Sequence, residues 1–435
     1  MTTGANISKR YRSYVLALLF VVCTLNFLDR QIINILAEPI KHQFALKDWQ
    51  VGVLTGLAFV IFYSVLSIPM ARLADRGRRS FVITVSLAVW SLFTVACGFA
   101  QGFVQLLLAR IMVGVGESGG GPPAQSLITE YTPQNERARA MAIYLIGIPF
   151  GSLLGLLIGG LVADRFGWRV AFFTAGVPGI FLAAIAALTL REPPTSLSAE
   201  SRGDTRSALR EMFSKRSFVC LLVGGSLVTF INYGQGAFFP SFFMRSHQQD
   251  LLDLAARFNM NVGTHLGAIG VLGVLFGLLT GIAGIISTLA GGRLADHFGA
   301  KDLRGYVTVQ VLFGSARIPC LLAAMFAPTA LLALGALTLQ AVASGLAAAA
   351  AYAAIPGLVM PRNRATAISI WLFGLNVVGL GLGPLSIGVI SDMFALSIGP
   401  ADGLRWSLIC SEIVLAIAMV VLFQARRSFV QDTVS

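Results

Sequence analysis

Arg72-Leu73-Ala74-Asp75-Arg76-Gly77-Arg78-Arg79 and, far along the chain, Gly291-Gly292-Arg293-Leu294-Ala295-Asp296-His297-Phe298-Gly299-Ala300-Lys301 share the core Arg-Leu-Ala-Asp. Each copy follows a long apolar run and precedes another. A tetrad repeated once at long range marks a chain built from two similar halves. It also acts as punctuation, because a basic tract cannot carry an apolar helix onward through lipid. Each copy is therefore read as a short loop between two membrane-crossing helices.

Working outward from these loops, the rest of the chain has the same character. Of 435 residues, 56% are hydrophobic and 12% charged, and mean hydropathy is +0.78. A soluble domain carries about 25% charged residues, so this composition excludes an ordinary cytosolic enzyme, a disordered chain and a secreted disulfide scaffold. A helix crosses the hydrocarbon core in about 20 residues. Apolar runs of that order fall at 14–37, 49–72, 80–100, 103–128, 138–163 and 169–190, then at 218–245, 264–292, 304–326, 330–356, 364–391 and 404–425. The polar stretch 191–217, with Pro193-Pro194 and several basic residues, separates the two sets. The expected fold is an all-α membrane protein of twelve transmembrane helices in two six-helix pseudo-symmetric halves. Residues 1–190 form the first bundle, 191–217 a cytoplasmic linker and 218–435 the second bundle. Two parallel halves of this kind are a transporter architecture, with substrate bound near the midplane between them.

The formal charge of +12 and pI of 10.0 would suggest nucleic acid in a soluble protein. Here they are read as topology and contact with anionic lipid headgroups. With the N-terminus inside, alternating segments place 22 of the 32 Lys and Arg residues in cytoplasmic segments and seven outside. That bias puts both termini in the cytoplasm of an inner (plasma) membrane protein. Lys9, Arg10 and Arg12 before an apolar run resemble a signal peptide, but no small-x-small site follows, so the run is read as a retained first helix. Cys23, Cys97, Cys220, Cys320 and Cys410 lie in apolar runs without a CxxC pair and are read as small hydrophobes. Neither a metal site nor a cofactor is expected.

Ionisable groups inside the spans are costly in lipid and therefore informative. Asp29-Arg30 lies about fifteen residues into the first span, roughly 22 Å from its cytoplasmic end. Arg110 and Glu117, spaced i, i+7, share one face of the fourth. Asp29 and Arg110 come out at similar depth, close enough to pair, with Glu117 deeper on the same stripe. On one reading, Asp29 and Glu117 carry protons, controlled by whether Arg30 or Arg110 is near. On the other, all four form a static ion-pair network. The second half is less charged, with Arg317 and Glu412 well inside its spans. Asn232, Tyr233, Gln235, Tyr352 and Asn376 offer neutral hydrogen bonds, while Phe238, Phe239, Phe242 and Phe243 offer an apolar wall or face lipid. Such groups suit an amphipathic substrate, its head on the arginines and its tail along the second half. Residues 250–259 carry Leu251, Leu254, Ala255 and Phe258 at helical spacing, read as an interfacial helix or a solvated one. Glycines at 114, 116, 119, 120, 121, 147, 151, 155, 159 and 160, with Pro122, Pro123 and Pro149, allow close packing and bent helices.

The doubled loop resembles the Gly-x-Leu-Ala-Asp-Arg-x-Gly-Arg-Arg signature of the major facilitator superfamily. The second copy matches well; in the first, Ala71 replaces the leading Gly and one residue is missing before Gly77. A carboxylate at the inner end of a helix can meet positive groups and a helix N-terminus, so Asp75 and Arg76, with Asp296 and Arg293, are read as conformational latches. Asn26-Phe27-Leu28-Asp29-Arg30 together with Arg110-(x)6-Glu117-Ser118 is similar to the spinster branch, whose animal members are associated with lysolipids and sphingoid phosphates. That resemblance implies that Asp29, Arg30, Arg110 and Glu117 line the central cavity, with Asn26, Asn232, Tyr233, Tyr352 and Asn376 as further substrate contacts. The expected function is a secondary active transporter, proton-coupled and working by alternating access, that moves amphipathic molecules and acts as a monomer. Proton symport of small organic anions and a receptor without flux are the alternatives. A membrane-embedded enzyme is not expected, since HExxH, GxSxG and Walker patterns are absent from the sequence.

Overall fold

The computed structural model describes residues 8–75, 78–192, 205–262, 265–302, 304–360 and 364–432. The first half begins with α1 (Lys9–Phe44). One crossing then combines α2 (Asp48–Gly52), a π-helical turn (Val53–Leu57) and α3 (Ala58–Asp75). α4 (Arg79–Gly98), α5 (Phe103–Glu117), α6 (Gly121–Tyr131), α7 (Arg137–Phe166) and α8 (Trp168–Thr189) follow, and α9 (Thr205–Ser214) lies in the linker. The second half runs through α10 (Arg216–Ser246), α11 (Gln248–Val262), α12 (Ala268–Lys301), α13 (Gly305–Met325) and α14 (Ala330–Ala354). It ends with α15 (Arg364–Gly374), a π-helical stretch (Leu375–Leu382), α16 (Gly383–Ile398) and α17 (Pro400–Asp432). Among the described residues there is no strand.

Among the described residues, eleven helices are long and apolar enough to cross a membrane. The twelfth crossing, expected over 103–128, is present in two pieces. Pro122 and Pro123 have no N–H to return to a carbonyl four residues back, and Gly119, Gly120 and Gly121 have poor helix propensity. The helix therefore stops at Glu117. A turn closes as the Gly120 N–H donates to the Glu117 carbonyl at 3.0 Å, and the prolines take the opening positions of α6, where a missing donor costs least. α7, by contrast, runs unbroken through Pro149. The halves also repeat a turn: Gly167 between α7 and α8, and Gly399 between α16 and α17, have φ of +83° and +86°, a backbone conformation open to glycine at little cost.

Packing divides the described chain into two compact units. One comprises 1–46, 58–197 and 252–278; the other comprises 47–57, 198–251 and 279–435. In the first, α1 lies along α7. A glycine stripe on α7 makes this possible: a Cβ on Gly151 or Gly155 would run into the Thr24 or Leu28 carbonyl of α1, and one on Gly147 would press on Cys23. The glycines of the fifth span thus serve helix contact. Gly160 meets Gly273 of α12 in the same close manner. The Asp164 carboxylate accepts the Gly267 N–H at 2.5 Å, at the start of α12. Leu254 and Ala255 of α11 pack with Leu161, Leu266, Val271 and Leu275, while Phe258 is exposed. The expected stripe on 250–259 therefore turns inward only in part.

In the second unit, α10 packs on α17, α13 on α14 and α16 on α17. Phe238, Phe242 and Phe243 are wholly buried and Phe239 nearly so. These rings are core, which corrects their reading as a lipid-facing or substrate-facing wall. Residues 47–57 lie against α16, where a Cβ on Gly52 would meet Pro384 and one on Gly388 the Asp48 carbonyl. The Asp392 carboxylate accepts the N–H groups of Asp48 and Trp49, each at 2.9 Å. Arg245 grips the Asp48 carboxylate with both terminal nitrogens, at 2.8 and 2.7 Å, and the Ser391 hydroxyl adds a bond at 2.7 Å.

Candidate functional site

Neighbouring helix residues project about 100° apart, so Asp29 and Arg30 reach different partners. Asp29, 2% exposed, faces α4, where the Thr94 hydroxyl donates to its Oδ2 at 2.9 Å. Its Oδ1 meets no donor among the described residues. Arg30 faces α5, and its Nε donates to Glu117 Oε2 at 2.8 Å. The Glu117 side chain is fully buried and that of Arg30 is 12% exposed.

Three rings surround the Arg30 guanidinium, with centroids at 5.1 Å (Phe27), 4.7 Å (Phe59) and 4.8 Å (Tyr63). These distances are within cation–π range. Phe59 and Tyr63, one turn apart on α3, stack at 5.3 Å. Arg110, 2% exposed, lies 5.8 Å from the same Phe59 ring, and its charge reaches both Asp29 and Glu117. The Asn26 side chain, one turn before Arg30, lies near the Glu117 carboxylate. The glycines of α5 explain why this cluster can form. A Cβ on Gly114 would strike the Phe59 carbonyl, and one on Gly116 would strike the Trp90 backbone. Only with hydrogens at both positions does α5 settle between α3 and α4, bringing Phe59 beneath the arginines.

Asp29, Arg30, Arg110, Glu117 and Asn26 thus form one cluster in the first unit. The Thr94 hydroxyl donates to Asp29, the Arg110 charge acts on Asp29 and Glu117 alike, and Glu117 takes a direct hydrogen bond from Arg30 of α1. Thr94, Phe59 and Tyr63 were not legible as site residues. The one signal was the i, i+4 aromatic spacing on α3, which many core helices share. In the second unit, Asn232 is exposed and accepts from the Ser344 hydroxyl at 3.4 Å, while Tyr233 and Asn376 are half-buried. Tyr352 is helical, with its side chain outside the described residues. Of the loop residues, Arg293 is exposed on α12, the side chains of Asp75 and Asp296 lie outside the described residues, and so does Arg76 altogether. Among the described residues there is no group of three or more potential metal ligands.

The sequence pattern of the Major Facilitator Superfamily matches residues 19–282. An MFS-type efflux pump of Mycolicibacterium smegmatis is 32% identical over 88% of this chain and 85% of its own length. Human protein spinster homolog 1 is 27% identical over 87% of this chain and 72% of its length. The hexuronate transporter of Bacillus subtilis is 26% identical over 87% of each. A crystal structure of a bacterial homologue of the human lysosomal transporter spinster, inward-facing and unoccupied, covers 99% of this chain and 100% of its own, at 32% identity and a TM-score of 0.84. With the twelve crossings and the Asp29–Arg30–Arg110–Glu117 cluster, these likenesses give the conclusion that the chain belongs to the Major Facilitator Superfamily, as a membrane transporter of its spinster-like branch.

Proposed function

We propose that this transporter moves amphipathic organic molecules of the lysolipid or sphingoid-phosphate class by alternating access, driven by protons. The observation that carries the reading is Arg30, held by Glu117 and flanked by three aromatic rings, next to an Asp29 carboxylate with one oxygen lacking a donor. Guanidinium groups bind phosphate and carboxylate oxygens in a planar fork. An anionic head entering beside Arg30 and Arg110 competes with Glu117 for the same donors. A carboxylate displaced from its cation in a low-dielectric site is neutralised by a proton. Head binding at Arg30 and proton uptake at Glu117 or Asp29 are thereby linked. Asn26 steadies Glu117, and Asn232, Tyr233, Tyr352 and Asn376 contribute neutral contacts to the substrate. The loop groups Asp75, Arg76, Arg293 and Asp296 act as latches at the inner face. The chain sits in the plasma (inner) membrane as a monomer with both termini cytoplasmic, and protons are its coupling ion.

A second reading, proton symport of small organic anions, draws support from the likeness to a hexuronate transporter. Proteoliposomes with an imposed pH gradient separate the two when loaded in turn with lysolipid, sphingoid phosphate and hexuronate. Asp29→Asn retains an acceptor for Thr94 but cannot bind a proton, so it is expected to fold normally and lose the gradient response. Normal gradient-driven flux in that variant would remove Asp29 from the coupling. Binding of all three compounds without movement would favour a receptor.

A further inference from the structure

A second polar cluster is buried in the second unit. Arg317 on α13 is 3% exposed, Glu412 on α17 5%, Gln235 on α10 1% and Gln340 on α14 4%. The amides are ordered head to tail. Gln340 Nε2 donates to Gln235 Oε1 at 2.9 Å; Gln235 Nε2 in turn donates to Glu412 Oε1 at 2.7 Å and to Ser411 Oγ at 2.9 Å. The chain of amides therefore ends on a carboxylate. Its other oxygen, Oε2, meets no donor among the described residues, and the Arg317 Nε meets no acceptor there. Arg317 makes no direct ion pair among the described residues, yet Glu412 is the charge whose field reaches it.

An arginine keeps its charge under all ordinary conditions. A buried guanidinium needs a compensating negative charge nearby. Glu412 supplies one without being locked to it. Gln235 anchors one oxygen and leaves the other able to gain or lose a proton with little rearrangement. The groups facing Glu412 are the neutral Gln235 from α10, Ser411 from its own helix and the charged Arg317 from α13. α16, which also packs on α17, brings no titratable group to it among the described residues.

We propose that Glu412 is a second proton-binding site of this transporter, with the proton on Oε2 and Arg317 acting as the positioning residue that sets its occupancy from a distance. The step is a simple protonation of the carboxylate, with no further co-reactant. It goes beyond the cycle above, which uses Asp29 and Glu117. The test is an infrared pH titration of the full-length protein in lipid nanodiscs, following the C=O stretch of protonated carboxylic acids in wild type, E412Q and R317Q. E412Q is expected to delete one titrating acid band. R317Q is expected to keep that band and move its midpoint toward higher pH by about one unit or more, since the cation favouring the carboxylate has gone. Unchanged bands in E412Q, or an unmoved midpoint in R317Q, overturn the proposal. Should E412Q fail to fold, R317Q reads the same site with Glu412 in place. The readout requires no transport, so a failed coupling role for Asp29 would appear in flux and leave this band where it is.

Discussion

The two buried polar clusters meet the cost of burial in different ways. In the first unit, Arg30 and Glu117 touch, aromatic rings cover the cation, and a hydroxyl holds the neighbouring Asp29. In the second, glutamine amides lead to Glu412, and Arg317 acts on it without contact. Charge in a lipid-embedded core costs several kcal/mol unless it is paired or wet. The first cluster answers with direct neutralisation, the second with a chain of dipoles. The difference shows that the number of charges in a span does not reveal how they are satisfied. A sequence shows both arrangements as polar letters in apolar runs, yet in one the carboxylate meets a guanidinium directly and in the other it ends a chain of amides.

That contrast can be broken or sharpened by substitution. Glu117→Ala leaves the buried Arg30 without its counter-charge, and loss of one partner from such a pair costs about 3–5 kcal/mol. Denaturation in detergent micelles measures it, and a loss under about 1 kcal/mol would put the first cluster on the footing of a solvated surface pair. Gln235→Leu cuts the amide chain at both ends, and each stranded buried group costs about 1–3 kcal/mol. If the variant is as stable as wild type, the chain of dipoles holds nothing. Thr94→Val removes the hydroxyl that donates to Asp29 Oδ2, with an expected loss of about 1–3 kcal/mol that Thr94→Ser restores. Asn232→Ala, at an exposed position with one long hydrogen bond, should stay within about 0.5 kcal/mol of wild type. A larger effect there would mean that the second unit's polar groups extend further than the Gln235–Glu412 cluster.

Most of the fold was legible because lipid leaves few options. Apolar runs of crossing length must be helices, and Arg-Leu-Ala-Asp at 72–75 and 293–296 exposed the repeat. The break inside 103–128 was less legible. Gly119–Gly121 and Pro122-Pro123 signal a bend, but whether a helix bends or stops depends on whether the turn finds another donor, which here is the Gly120 N–H. The charged residues of the site were legible as types. Their pairing was not, because spacing along one helix fixes which residues share a face and says nothing of the residue opposite. Thus Arg110 and Glu117 were aligned correctly on α5, while the partner of Glu117 came from α1. The four buried phenylalanines of 238–243 were equally opaque, since lipid and protein interior are alike apolar.

The fastening of α2 carries one more consequence. Both α2 and α12 begin with backbone N–H groups offered to an aspartate on another helix. Asp392 takes two at the start of α2, and Arg245 and Ser391 add three more bonds to the Asp48 side chain. Asp164 takes the one from Gly267 at the start of α12. Under thermal agitation the two helix starts therefore do not fray alike. Deuterium is expected to enter the backbone at Gly267 before it enters at Asp48 and Trp49.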